Sequence, residues 1–196
     1  METMDRKIRQ LRSEASQFQV REAEGDLSIE GYFSVFNSIY ELWPGATESV
    51  APGAFSETLG NDIRALVNHN DTLVLGRNKA GTLELREDSH GLWGKIKVNP
   101  NDSDAMNLYE RVKRGDVNQC SFGFTIESEE TEFREDGSIH WTIRKVNLFE
   151  VSVCTFPAYE ATEVSARKAD YEAIQKRKTE KWRAEMHAKL NKEEAE

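Results

Sequence analysis

Apolar and polar residues alternate most clearly in residues 27–36, where Leu27, Ile29, Gly31, Phe33 and Val35 interleave with Ser28, Glu30, Tyr32 and Ser34. A period of two predicts a strand with one face buried. Residues 17–24 are also strand-like, and Gly25-Asp26 between the two runs predicts a hairpin turn. Before them, residues 1–15 are charged and hold only Ile8 and Leu11 as large aliphatics, so they read as a frayed, readily helical lead-in. The strongest later run is 118–126, in which Cys120, Phe122, Phe124 and Ile126 share one face and Ser121, Gly123 and Thr125 the other. The apolar set belongs to a core. Ser121 is left on the opposite side with only Gly123 beside it, an open approach to its hydroxyl.

Between these runs the pattern predicts shorter elements. Residues 37–50, with the Pro44-Gly45 step, read as a long loop. A short helix follows, opened at Ala51-Pro52-Gly53 and stopped by Gly60-Asn61. Residues 63–68 form a strand that delivers Asn68-His69-Asn70-Asp71 at its end, and further strands fall near 81–86 and 91–98. Residues 101–114 predict the clearest helix, capped by Asp102 or Ser103, striped by Ala105, Leu108, Tyr109 and Val112, and ended by Gly115. After the Ser121 strand comes a polar excursion over 127–137, a strand over 139–145 and a closing run over 146–156. Seven or eight short strands with few helices predict a mainly β fold with peripheral helices (α+β), largely antiparallel, as a barrel or closed sandwich.

Composition divides the chain. Residues 166–196 are rich in Lys, Glu, Arg and Ala, with Ile174, Trp182, Met186 and Leu190 at multiples of four. They predict a charged helical tail with a thin apolar seam, behind a lead-in over 1–16 and a domain over 17–165. With 196 residues, 38% hydrophobic and 31% charged, the chain has room for one such domain with polar ends. A net charge of -9 argues against a nucleic-acid binder, which needs clustered Lys and Arg to neutralise phosphates. No apolar run approaches membrane-spanning length, and the N-terminus is charged where a signal peptide is greasy, so the protein is expected to be soluble and not secreted. Cys120 and Cys154 lie inside strand-like runs without CxxC or His-rich company, so no structural zinc, and no metal or cofactor, is expected.

An accessible serine needs a base and a third group to hold that base. Of the four histidines, His187 lies in the polar tail, and His140 and His90 read as surface residues. His69 ends an apolar strand between two asparagines, a place that suits an imidazole moving protons. In residues 149–154 the period of two sets Glu150, Ser152 and Cys154 on one face and Phe149, Val151 and Val153 on the other. A glutamate inside such a strand needs a partner. That partner is either His69, with Glu150 as its orienting carboxylate, or a cation such as Arg144, Lys145 or Arg77. Asp71 and Asp116, in turns, are weaker third members. Cys120, on the apolar face, reads as a small buried hydrophobe. A GxSxG elbow, HExxH and a phosphate-cradling glycine loop are all missing.

Several motifs in fixed order resemble a known family. They are Ile29-Glu30-Gly31-Tyr32, Val35-Phe36-Asn37, Ala51-Pro52-Gly53-Ala54-Phe55, Arg64-Ala65-Leu66 running to His69, and Leu75-Gly76-Arg77. The series continues through the Gly115-Asp116 turn, Ser121-Phe122-Gly123-Phe124, and Leu148-Phe149-Glu150-Val151-Ser152 to Thr155-Phe156-Pro157-Ala158-Tyr159. Over residues 17–165 the chain resembles the prohead serine proteases of tailed bacteriophages, related to herpesvirus assemblin. The resemblance implies an antiparallel β-barrel of the herpesvirus protease type with Ser121 as nucleophile, His69 as general base and Glu150 as third member. Backbone amides near Ala158 and Tyr159 are the candidate oxyanion donors, because no pair of arginines follows the third-member strand.

The same resemblance implies a serine endopeptidase made as a precursor and working inside the immature prohead in the host cytoplasm. Its substrates are scaffold, the scaffold-like arm of the major capsid protein, and itself; a homodimer is implied, and neither nucleic acid nor membrane is a partner. The tail then docks on scaffold or coat protein, or is self-cleaved. Two rivals use the same domain differently: a non-enzymatic assembly factor recruiting coat protein through the charged tail, and a barrel whose polar face binds a small ligand.

Overall fold

The period-of-two runs become strands, and so do several stretches without one. The computed structural model describes residues 10–15, 18–23 and 26–156, with scattered helical positions between 171 and 186. In chain order the described strands are β1 (Gln10–Ala15), β2 (Gln19–Ala23), β3 (Asp26–Val35), β4 (Tyr40–Trp43), β5 (Ala46–Val50), β6 (Arg64–Val67), β7 (Asn70–Arg77), β8 (Leu83–Glu87), β9 (Gly91–Val98), β10 (Gln119–Phe133) and β11 (Ile139–Cys154). One helix, α1 (Ser103–Arg114), joins β9 to β10. The chain is mainly β, as expected.

Strands β2, β3, β9 and β8 form a four-stranded antiparallel sheet that contains the expected first hairpin, with Val20 opposite Ile29. Its inner pleats come close together. A Cβ added at Gly91 would lie 1.9 Å from the Ser34 carbonyl oxygen, so only glycine fits there. Helix α1 packs on β2, β3 and β9 and buries Ala105, Leu108, Tyr109 and Val112, the stripe read from spacing. Asp102 caps it by accepting from the Asp104 and Ala105 amides, and Gly115 ends it at φ 82°.

The other seven strands form one sheet, ordered β1-β10-β11-β5-β4, with β6 on β11 and β7 on β6, curled into half a barrel. Two of its pairings depart from the antiparallel expectation. One edge of β11 pairs parallel with β5 near Ile139 to Ile143, then parallel with β6 near Glu150 to Val153. The described strands thus form two sheets. Between them lies a core in which Phe122 stacks on Phe124 at 4.8 Å and meets the edge of Phe55 at 5.4 Å.

Five local expectations are corrected. The lead-in contains β1, paired residue by residue with β10. The loop over 37–50 contains the β4–β5 hairpin, turned at Gly45 with φ 86°. Residues 51–60 make successive turns instead of a helix, because Gly53 sits at φ 88°, outside helical space. The polar excursion is the outer half of β10, and the two runs over 139–156 are one 16-residue strand. There the strands pair through backbone bonds that need no apolar alternation. Most of the charged tail lies outside the described residues.

Candidate active site

A two-residue turn, Asn68-His69, joins β6 to β7, with Val67 paired to Asn70. Both turn residues have positive φ, 50° and 59°, as in a type I′ hairpin turn. Asparagine and histidine visit this conformation more readily than most residues, though any non-glycine residue there costs of order 1 kcal/mol or more. Four bonds hold the turn in place. The Asn68 amide donates to the Val153 carbonyl at 3.1 Å, and the Asn68 side-chain oxygen accepts from the Thr155 amide at 2.9 Å. The Asn68 side-chain amide reaches Thr155 Oγ1 at 3.5 Å, and the His69 amide donates to Ser152 Oγ at 3.2 Å. β11 and Thr155 just beyond its end therefore grip the turn.

That grip brings His69 Nδ1 to 2.6 Å from Glu150 Oε1. A carboxylate only accepts, so Nδ1 carries the proton and the Nε2 lone pair is left for other work. Ser152 Oγ donates to the second Glu150 oxygen at 2.7 Å, holding the carboxylate from behind. Glu150 is 3% exposed, and the choice left open for its partner falls on His69. The three competing cations are engaged elsewhere, Arg144 with Glu130, Lys145 with Glu57 and Arg77 with Asp62.

A bulge aims Glu150. The register jumps from Gly123 opposite Glu150 to Phe124 opposite Leu148, leaving Phe149 as the extra residue. Leu148 thus takes the core position expected for Phe149, which is 39% exposed. Beyond the bulge the expected faces hold: Val151 and Val153 enter the core, and Glu150, Ser152 and Cys154 lie on the other side.

Ser121 lies on that same side, directly opposite Ser152 on β11. Its surroundings overturn the expectation of an open hydroxyl. Ser121 is fully buried, and its Oγ donates to the Arg12 carbonyl of β1 at 2.8 Å. Leu11, 7% exposed, stands opposite Gly123 and fills the gap read there. His69 and Glu150 are brought together, while the Ser121 proton goes to β1. His69 Nε2 faces Cys154 Sγ at 3.9 Å.

Cys154 and Ser152 are the residues that sequence reasoning passed over, although their place on the Glu150 face was readable. Burial, reinforced by the Glu150 charge, pushes the Cys154 thiol up to about 12. It is a protonated neighbour of the imidazole. The candidate oxyanion residues Ala158 and Tyr159 lie outside the described residues. His140, expected at the surface, is 8% exposed, with Nδ1 bonded to Thr47 and Nε2 to Ser49. Cys120 is fully buried in the core, as read. Among the described residues no group of three or more His, Cys, Asp or Glu is placed to hold a metal ion, and no helix is long and apolar enough to cross a membrane.

A buried glutamate thus holds an imidazole on the sheet face that also bears a serine, on a mainly β frame. The family model of the caudovirus prohead serine proteases matches residues 16–177, and the chain belongs to that family. The prohead protease of Enterobacteria phage HK97 is 33% identical over 143 residues, which cover 72% of this chain and 60% of that protein. This chain therefore spans less than two thirds of that relative's length. The fold is similar to the bacteriophage T4 capsid assembly protease, with a TM-score of 0.50 at 9% identity over 74% of this chain and 96% of that one.

Proposed function

We propose that the chain is a serine endopeptidase that cleaves scaffold protein, or the scaffold-like arm of the coat protein, and itself as a phage prohead matures. The single observation that carries this reading is the 2.6 Å contact between His69 Nδ1 and Glu150, on the sheet face that bears Ser121. Family membership and the likeness to a capsid assembly protease support it. With substrate in place, Ser121 Oγ attacks the peptide carbonyl carbon and its proton passes to His69 Nε2. Glu150 stabilises the imidazolium through Nδ1. Collapse of the tetrahedral intermediate breaks the C–N bond, and His69 returns the proton to the leaving amine. Water, deprotonated by His69, then hydrolyses the acyl-enzyme and releases Ser121.

The enzyme so proposed is a barrel related to the herpesvirus proteases and a homodimer, has a charged tail that docks on scaffold or coat protein, and acts inside the prohead in the host cytoplasm. Backbone amides at Ala158 and Tyr159 are assigned to the oxyanion.

One observation favours a second reading. A serine with no exposed surface and its hydroxyl bonded to Arg12 suits a non-enzymatic assembly factor built on the same domain. The protease reading instead takes the bond to β1 as an occupied cleft. Ser121→Ala separates the two: cleavage of coat or scaffold protein and self-trimming, followed by mass spectrometry, should vanish with the fold intact by circular dichroism. Undiminished processing by Ser121→Ala would exclude Ser121 as the nucleophile, whereas wild-type protein that neither cleaves coat or scaffold protein nor is labelled at Ser121 by a serine-directed phosphonate would favour the assembly factor.

A further inference from the structure

The Ser121 face is occupied by the chain's own N-terminal strand, and the manner of occupation carries chemical information. β1 runs antiparallel along β10, with Ser13 opposite Ser121, Arg12 opposite Phe122 and Leu11 opposite Gly123. Ser121 Oγ lies 2.8 Å from the Arg12 carbonyl oxygen, so the Arg12-Ser13 peptide group is the one presented to the nucleophile. A peptide added to a sheet edge is held by main-chain bonds, while pockets for its alternate side chains set preference.

Arg12 fills such a pocket. Its Nη2 donates to the Ser38 carbonyl at 3.1 Å, its Nη1 lies 3.8 Å from Glu48 Oε1, and its guanidinium carbon sits 5.5 Å from the centre of the Tyr40 ring. Arg12 and Glu48 are each 1% exposed. An edge strand has no need of a buried arginine to pair with its neighbour. A buried carboxylate, an aromatic face and a backbone carbonyl converging on one point together suit a cation.

We propose that the β10 edge and the Glu48 pocket form the subsite for an extended peptide carrying arginine or lysine at the residue whose carbonyl reaches Ser121, and that β1 is the chain's own occupant, keeping the site shut. The inference rests on the protease reading of Ser121. The occupant is not set up for cleavage, because the Ser121 proton goes to the carbonyl oxygen while His69 Nε2 faces Cys154. Substrate enters by displacing β1 with a strand of matching charge.

Binding is tested apart from turnover. In the full chain carrying Ser121→Ala and Arg12→Ala, a fluorescein-labelled peptide with the sequence of residues 10–15 is titrated by polarisation. The same peptide with glutamate in place of its arginine is titrated beside it. The arginine peptide should bind at least tenfold tighter, and Glu48→Arg should reverse the order. Equal affinities, or an order unmoved by Glu48→Arg in chains that circular dichroism shows to be folded, would overturn the proposal.

Amide exchange at residues 10–15 in the otherwise unaltered chain should quicken about tenfold with Glu48→Gln; unchanged exchange would count against β1 as a charge-held occupant. The two readings fail separately. Tight, arginine-selective binding without any Ser121-dependent cleavage would sink the protease reading alone. Ser121-dependent cleavage with no charge preference would sink the subsite alone.

Discussion

His69 and Glu150 meet at 2.6 Å although 81 positions separate them in the chain. The cause is the parallel pairing of β6 with β11, which sets Glu150 beside Arg64 and Val153 beside Val67. The next two residues turn back and carry the imidazole over the β11 face. Because Ser152 bonds both Glu150 and the His69 amide, imidazole and carboxylate are held as one unit.

Removing the carboxylate charge while keeping its shape should expose that unit. On the proposed mechanism, Glu150→Gln is expected to lower kcat by about 10³ to 10⁴ with little change in KM, the effect of removing the orienting acid from a serine-protease triad. Combined with Ser121→Ala it should add almost nothing, because groups acting together are not additive. Single-turnover cleavage of a scaffold-derived peptide measures both.

The turn can be tested by stability. Asn68→Ala removes both side-chain bonds to Thr155 and places a Cβ-bearing residue without a compensating amide at φ 50°. A loss of about 1 to 3 kcal/mol in urea unfolding is expected. If His69 is the proposed base, cleavage should be lost as well, since the turn that carries the imidazole is displaced.

Cys154 should behave as an inert neighbour. With its thiol pushed up to about 12 and only 2% of its surface exposed, iodoacetamide at pH 8 should leave it unmodified in the native protein and label it after unfolding. Cys154→Ala should keep cleavage within about tenfold of the wild type, in contrast to Ser121→Ala. Loss of all activity in the folded Cys154 variant would shift the nucleophile to sulfur.

Acid should weaken the β5–β11 seam through His140. Burial, together with the Arg134 charge, holds its folded value below the ordinary 6.5. The unfolded chain therefore takes up the proton first, and stability is lost as pH falls through about 6.5 toward the lowered folded value. Urea midpoints at pH 7.5 and 5.5 should differ more for the wild type than for His140→Gln.

What the sequence displayed depended on how local the cause was. The cap, stripe and stop of α1 lie within a dozen residues, and all three are legible. Glu150 announced a partner because a carboxylate inside an apolar strand must have one, and His69 stood out at a strand end. β1 gave no such signal: it holds only Leu11 as a large aliphatic and becomes a strand through the edge of β10, more than a hundred positions away. The burial of Ser121 was hidden for the same reason, since the residues covering it belong to that strand. The outer half of β10 has mostly exposed, polar side chains and pairs through its backbone, so side-chain period said nothing of it. His140 looked superficial because Thr47 and Ser49, which satisfy its ring, are over ninety positions away.

The pairing of β1 with β10 also bears on solubility. Lifting β1 would leave a ribbon of bare amide and carbonyl groups next to Ser121, open to any stretched polypeptide nearby, another copy of the same molecule included. A bound self-segment doubles as a guard against such sticking, and the molecule gives it up safely only where a proper guest strand is at hand to replace it.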